Sequence, residues 1–401
     1  MIKLENISFD HCIKCTVCTI YCPVARATHH FPGPKQSGPD TERLRIKNPN
    51  LLDESLKYCT NCKRCEIACP SNVKIADIIQ SSKWKYFKKR FRLRDYFLAR
   101  TDLMGSAATL VSPIVNFFTG LYPVKLALDI FFKIPSKRTF PKYAQGTFRR
   151  WYKKQHTAQT AYKRRVVYFH GCYVNYNNHQ LGKDVIRVLN AMNIGVILPK
   201  EKCCGVPLIA NGYITKARKN ARYNIASLRG ELEMESGEKI VTASSSCAFA
   251  LKYEYPNLIE LDNSAIFNDL EYITRYIYTR FEQGDIPAMK PIPMRVAYHS
   301  PCHLERMGGV PYTIEVLKKI PGLDLHILHS ECCGIAGTYG FKKEYYNVSQ
   351  KIGDELFGRI ERVQPDYVIS DCETCKWQIE MSTPYKVLHP VTVLAMSLAQ
   401  H

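Results

Sequence analysis

Short runs of apolar, β-branched and aromatic residues recur through the second half of the chain: Val166 to Phe169, Val196 to Leu198, Ile240-Val241, Val296 to Tyr298, Leu325 to Leu328 and Tyr367 to Ile369. Runs of this kind predict short strands, buried on both faces where they are continuous. Between them, apolar positions return at helical spacing over 179–193, 207–235, 312–320 and 344–362. Strand and helix alternate, which predicts an α/β fold with mostly parallel sheets. Each strand run stops shortly before a cysteine, at Cys172, Cys203, Cys247, Cys302, Cys332 or Cys372. The thiols therefore belong at the carboxyl ends of strands, where open α/β sheets place their ligands.

Those cysteines repeat. Cys172, the pair Cys203-Cys204 followed by Gly205, and Cys247 recur as Cys302, the pair Cys332-Cys333 followed by Gly334, and Cys375, at offsets of 128 to 130 residues. The second copy adds Cys372, where the first has Ser244, so one site offers five thiolates and the other four. A registered Cys-Cys-Gly after a strand is a stronger signal than a lone buried cysteine, which usually serves as a small apolar residue.

The first half carries a different cysteine pattern. From Cys12 the chain reads Cys-Ile-Lys-Cys-Thr-Val-Cys-Thr-Ile-Tyr-Cys-Pro, and from Cys59 it reads Cys-Thr-Asn-Cys-Lys-Arg-Cys-Glu-Ile-Ala-Cys-Pro. Both are the C-x2-C-x2-C-x3-C-P run of bacterial ferredoxins, in which three thiolates hold one cubane cluster and the fourth completes its neighbour. This pattern predicts one [4Fe-4S] cluster on Cys12, Cys15, Cys18 and Cys69, and another on Cys22, Cys59, Cys62 and Cys65. Zinc motifs space their ligands in pairs and fit this run poorly.

Composition adds three constraints. A length of 401 residues gives a prior of two to three domains, and 46% hydrophobic with 23% charged residues is ordinary for globular chains. Seventeen cysteines is an odd number, and the first stands at position 12, which leaves no room for a secretory leader. Without an oxidising compartment, clustered thiols are expected as metal ligands and not as disulfides. Finally, the formal charge is +20, of which +17 lies between Gln80 and Arg165, with 20 Lys or Arg against Asp95, Asp102 and Asp129.

Within that basic segment, Leu103 to Val124 has no charge, but Pro113, Pro123, Gly105, Gly120 and Asn116 interrupt it. A straight membrane span is therefore not expected. The flank Trp84-Lys85-Tyr86-Phe87-Lys88-Lys89-Arg90-Phe91-Arg92 interleaves rings with cations, and Lys133, Lys137, Arg138, Arg149 and Arg150 follow. Rings seat at headgroup depth and cations attract anionic lipid, so an anionic membrane surface is the expected partner. A solvated basic face, or a linker packed on partner subunits, is the alternative. No recognition module accompanies the charge, so nucleic acid is not expected.

At these residues the chain resembles the cysteine-rich CCG family. That family includes heterodisulfide reductase B-type subunits and iron-sulfur subunits of lactate, glycolate and succinate oxidoreductases. Phe31-Pro-Gly-Pro-Lys-Gln, His170-Gly-Cys, Cys203-Cys-Gly-Val-Pro-Leu-Ile-Ala-Asn-Gly and Asp371-Cys-Glu-Thr-Cys-Lys-Trp-Gln-Ile-Glu-Met make it similar to the electron-transfer subunits of glycerol-3-phosphate-oxidising complexes. The resemblance implies a ferredoxin-type domain over 1–80, of small α+β or helical form, and a membrane-interfacial linker over 81–163. Two CCG domains would follow over 164–285 and 292–401.

The resemblance also implies a noncubane [4Fe-4S] cluster on Cys302, Cys332, Cys333, Cys372 and Cys375. Cys172, Cys203, Cys204 and Cys247 could hold a cluster, a tetrahedral zinc, or nothing. His170, His299 and His303 lie beside the strand-end cysteines as ligands, tuning groups or plain loop residues. Flavin-containing A and B dehydrogenase subunits are implied as electron donors, menaquinone as acceptor, and the cytoplasmic face of the inner membrane as the peripheral location. The chain shows no GxGxxG fingerprint or phosphate loop, which places substrate oxidation on other chains. The expected function is electron transfer and anchoring; catalytic disulfide reduction, or service in a lactate or glycolate oxidase, is the alternative.

Overall fold

A computed structural model describes residues 9–87, 92–234, 237–329 and 331–399. Its second half contains two parallel four-stranded sheets of identical order. The first is built from β1 (Arg164–Tyr168), β2 (Ile194–Ile197), β3 (Ile240–Thr242) and β4 (Leu270–Tyr272), in the order β2-β1-β3-β4. The second is built from β5 (Met294–His299), β6 (Leu323–Ile327), β7 (Tyr367–Ser370) and β8 (Val387–Leu388), in the order β6-β5-β7-β8. Val166, Val167 and Tyr168 are wholly buried, as are Val296, Ala297 and Tyr298, because helices cover both faces of each central strand.

The strand order reverses beside β1 and again beside β5, and those switch points place the thiols. Cys172 follows β1 and Cys247 follows β3; Cys302 follows β5, and Cys372 and Cys375 follow β7. The pairs Cys203-Cys204 and Cys332-Cys333 follow β2 and β6. Gly205 and Gly334 take positive φ of 97° and 85°, and a Cβ at Gly334 would lie 1.9 Å from the Ser349 carbonyl oxygen. Only glycine fits that turn.

The two repeats share one apolar core, in which Tyr168 and Val185 pack with Val296, Tyr298 and Val393. A buried carboxylate joins them as well. Asp371 accepts hydrogen bonds from Tyr272 Oη (2.9 Å) of the first repeat, and from Tyr298 Oη (2.7 Å) and Thr313 Oγ1 (3.1 Å) of the second. Removing the acceptor takes the carboxylate from three buried hydroxyls, of which Tyr272 keeps His389 (3.0 Å) and Thr313 keeps Thr274 (2.7 Å), at a cost of about 3 kcal/mol. Asp371→Ala is therefore expected to lower the denaturation midpoint of the full chain. Tyr272→Phe should cost about 1 kcal/mol, and the double variant less than the two costs combined. Additive costs would show that the carboxylate does not bridge the repeats.

The N-terminal part takes the helical form, with no strand among its described residues. Its two cysteine runs adopt the same backbone: Lys14 and Thr16 have φ of 61° and 64°, and the matching Asn61 and Lys63 have 55° and 66°. Left-handed non-glycine residues cost of order 1 kcal/mol each, and they turn successive N–H groups inward, as anion-binding nests do.

Between the N-terminal part and the repeats, the basic segment is helical. Of the helices Leu93–Ala99, Thr101–Ala108, Ser112–Gly120 and Tyr122–Phe132, the first two pack on the first repeat, and Arg94 and Asp129 pair with Glu344 and Lys343 of the second. Among the described residues, no single helix is long and apolar enough to cross a membrane; Thr101–Ala108 and Ser112–Gly120 pass together but are bent by 110°. The cations expected to meet lipid divide. Lys85, Lys133, Lys137 and Arg150 are exposed, whereas Arg138 is buried, donating to the Gly340 carbonyl (2.6 Å) and lying over the rings of Phe341 and Tyr346. Arg94 makes a two-armed pair with Glu344, both contacts at 2.7 Å. Lys88, Lys89, Arg90 and Phe91 lie outside the described residues.

Candidate metal centres and the cavity between the repeats

All seventeen cysteines are unpaired, and they fall into four groups. In the first, burial pushes the Cys18 thiol up, and Cys12, Cys69 and Cys15 face it. These four also line one small cavity. In the second, Cys65 is raised by burial and by Glu66, Cys62, Cys59 and Cys22, while Cys22 is raised by burial and by Cys62 and Cys59. Each run thus lends its fourth thiol to the other's group.

The third group is Cys302, Cys332, Cys333, Cys372 and Cys375. Cys333 Sγ lies 3.2 Å from Cys375 Sγ, Cys332 contacts Cys333, and Cys372 contacts Cys375. The His299 ring stands with Cys333 and Cys375, their ligand atoms all within 4.8 Å of one another. Both His299 nitrogens are buried with no oxygen or nitrogen partner, and the ring faces the Cys333 thiol. Such an imidazole beside converging thiols fits a bound metal group, to which it would ligate or donate.

The fourth group is Cys172, Cys203, Cys204 and Cys247, linked by contacts of Cys203 to Cys172 and of Cys204 to Cys203 and Cys247. Ser244 caps the helix Ser245–Phe249, at the position that Cys372 holds before Glu373–Ser382 without a side-chain cap. Its hydroxyl accepts from the Cys247 N–H (3.2 Å) and donates to the Glu373 carboxylate (3.1 Å), so it bridges to the other repeat. Nearby, Glu201 accepts the N–H groups of Gly171 (2.8 Å) and His170 (3.1 Å). Burial raises Glu201 to about 8 and lowers His170 to about 3, so both are neutral at neutral pH. Four thiolates fit zinc or iron-sulfur equally.

The second and third groups adjoin. Cys302 and Cys332 both face Cys62, and Arg64 stands among them, paired with Glu305 at 3.4 Å. The third and fourth groups open on one cavity of about 700 Å³, a volume that includes the space metal groups on these thiols would fill. Met104, Val115, Leu128 and Phe132 of the helical segment, and Phe140 of the loop after it, line the same cavity.

The sequence points to His299 but not to the acids Glu201, Glu254 and Glu373. A single acid in a loop or helix carries no spacing signal, and only the fold shows that burial raises all three.

The described geometry agrees with what the chain is similar to. Residues 8–73 match the 4Fe-4S dicluster domain, and 166–252 and 296–380 each match the cysteine-rich CCG domain. The C subunit of the anaerobic glycerol-3-phosphate dehydrogenase of Escherichia coli (strain K12) is 55% identical over 99% of this chain and 100% of its own length. The chain belongs to that family of iron-sulfur subunits. More distant relatives show how widely the architecture is used. The B subunit of the fumarate reductase (CoM/CoB) of Methanothermobacter marburgensis is 25% identical, over 96% of this chain and 70% of its own. The D subunit of the dihydromethanophenazine:CoB–CoM heterodisulfide reductase of Methanosarcina barkeri is also 25% identical, over 93% and 88%. Within the glycerol-3-phosphate dehydrogenase family, the ferredoxin-type part and the tandem CCG repeats are thus carried on one iron-sulfur chain.

Proposed function

We propose that this chain is the electron-transfer and anchoring subunit of an anaerobic glycerol-3-phosphate dehydrogenase, bound peripherally to the cytoplasmic face of the inner membrane. Its partners are the flavin-containing A and B subunits on one side and menaquinone on the other. Cys12, Cys15, Cys18 and Cys69 would hold one cubane, and Cys22, Cys59, Cys62 and Cys65 the second. Cys302, Cys332, Cys333, Cys372 and Cys375 would hold a noncubane cluster, and Cys172, Cys203, Cys204 and Cys247 a further cluster or zinc. The iron-sulfur groups, when bound, supply one-electron transfer.

One observation carries the reading: the wall of the cavity that receives both CCG thiol groups is made by helices whose outer faces are bare and apolar. Met104, Val115 and Phe132 line the cavity, whereas Leu110, Phe117, Phe118 and Phe131 of the same helical segment are exposed. A naphthoquinone with an isoprenoid tail needs an apolar chamber next to lipid.

Anaerobically purified chain is expected to contain about twelve to sixteen irons, at four per cluster, with matching sulfide. About eight would confine iron to the ferredoxin-type part and sink the proposed cluster of the second repeat, leaving only zinc for the first. The shared cavity also suits a disulfide substrate between two thiol groups. Thiol-disulfide turnover with a chemical reductant separates that reading from quinone reduction.

A further inference from the structure

Glu254 closes the short π-turn Ala250–Glu254 and stands between two cavities. It lines the 700 Å³ chamber alongside Asn61, Cys62, Cys302 and His303. It also lines a much smaller cavity behind, with Lys63, Glu66, Asp77, Tyr253, Asn257 and Arg306. The side chain is only 2% exposed. Its Oε1 accepts from Asn61 Nδ2 at 3.1 Å, and its Oε2 has no hydrogen-bond partner. A carboxyl buried with an unsatisfied oxygen is costly unless it serves a purpose or meets a ligand.

The charges facing it come from every element packed around it. Lys63 pairs with Asp77 and, at 3.5 Å, with Glu66. Arg306 reaches Glu66 at 3.4 Å. Arg64 and Glu305 balance each other alongside, and burial keeps His303 neutral. Lys63 and Arg306 thus meet Glu66 and Asp77, Lys74 bears on Asp77 as well, and Glu254 is a third acid that shares Lys63 with the other two and has no cation of its own in contact. Such a group retains one proton. Burial, with Asp77 and Glu66 opposing Lys63, raises Glu254 to about 7, and burial raises Asp77 to about 6.

We propose that Glu254 delivers protons to a quinone bound in the large cavity, and that the smaller cavity behind it is where Glu254 is reloaded. The inference rests on the quinone reading above. Reduction of a quinone to its quinol takes two electrons and two protons. The electrons come from the reduced iron-sulfur groups; His299, Glu373 and Lys376 also line the chamber, but among the described lining residues Glu254 alone lines the smaller cavity as well, which makes it the link between the two. Glu254 gives its proton to a quinone oxygen and becomes a carboxylate. It then recovers a proton through the smaller cavity, whose Arg306 side chain is 23% exposed and reaches solvent. Repeating the cycle balances both protons.

The test uses the full chain with its iron-sulfur groups, reduced by dithionite and freed of excess, with menadione as the quinone and ferricyanide as an acceptor that needs no proton. In wild type, menadione reduction is expected to slow as pH rises through about 7 and to show a solvent deuterium isotope effect. In Glu254→Gln it should fall at least tenfold and lose that pH dependence, while ferricyanide reduction is unchanged; Glu254→Asp should restore part of the rate. Infrared difference spectra should show a protonated-carboxyl band that titrates near neutrality and is missing from Glu254→Gln. Equal menadione rates in wild type and Glu254→Gln, or no such band in wild type, overturn the role of Glu254 alone. A wild-type chain that reduces ferricyanide but not menadione overturns the quinone reading, and this inference with it.

Discussion

Binding to anionic vesicles falls at least a hundredfold when Phe117, Phe118 and Phe131 are all replaced by aspartate. The three rings are 64%, 51% and 78% exposed, beside Leu110 at 84%. Fully burying one phenylalanine is worth about 1.5–3 kcal/mol, so partial insertion of three supplies about 4 kcal/mol. At 1.4 kcal/mol per factor of ten, their loss exceeds two decades, before any penalty for the new carboxylates. Lys133 and Lys137, exposed nearby, should make the remaining binding sensitive to salt. The measurement is cosedimentation with vesicles of stated anionic lipid content, with iron content confirming that the variant is folded. Undiminished binding would mean that this face meets a protein partner and not lipid.

The second large effect concerns iron. Cys22→Ala is expected to lose the cluster of Cys59, Cys62 and Cys65 and to keep that of Cys12, Cys15 and Cys18; Cys69→Ala should do the reverse. Each variant should retain about four irons fewer than wild type. EPR of the dithionite-reduced proteins tells the two losses apart, because only the Cys59 group adjoins Cys302 and Cys332, and only its loss should alter the signal of the third group. Loss of the cluster from the same run as the mutated residue would show that the fourth cysteine stays with its own motif.

Much of this is legible in the chain, for physical reasons. Parallel strands buried on both faces read as unbroken apolar runs, so β1, β3, β5 and β7 stand out, whereas Glu271 interrupts the three residues of β4 and β8 has only two residues. The stretch 207–235 reads as one helix but is two, Val206–Ala210 and Ile214–Met234, broken where Gly212 takes a φ of 70°. Cysteine groupings can be read because ligand spacing is fixed along the chain. Composition misleads for Arg94 and Arg138: a basic segment reads as a solvated or lipid-facing one, yet these two cations turn inward. Glu254 leaves no trace at all, since its character comes from the charges that other helices bring to it.

Two sheets of the same strand order facing one chamber is the arrangement that a symmetric dimer of a single repeat would build. A homodimer is bound by its symmetry: any change on one wall of a shared chamber appears on the other. Joining both halves in one polypeptide removes that constraint. Ser244 opposite Glu373, at a position where the other half carries Cys372, is a one-sided substitution that a homodimer could not hold. The duplication therefore lets the two walls of one chamber diverge independently.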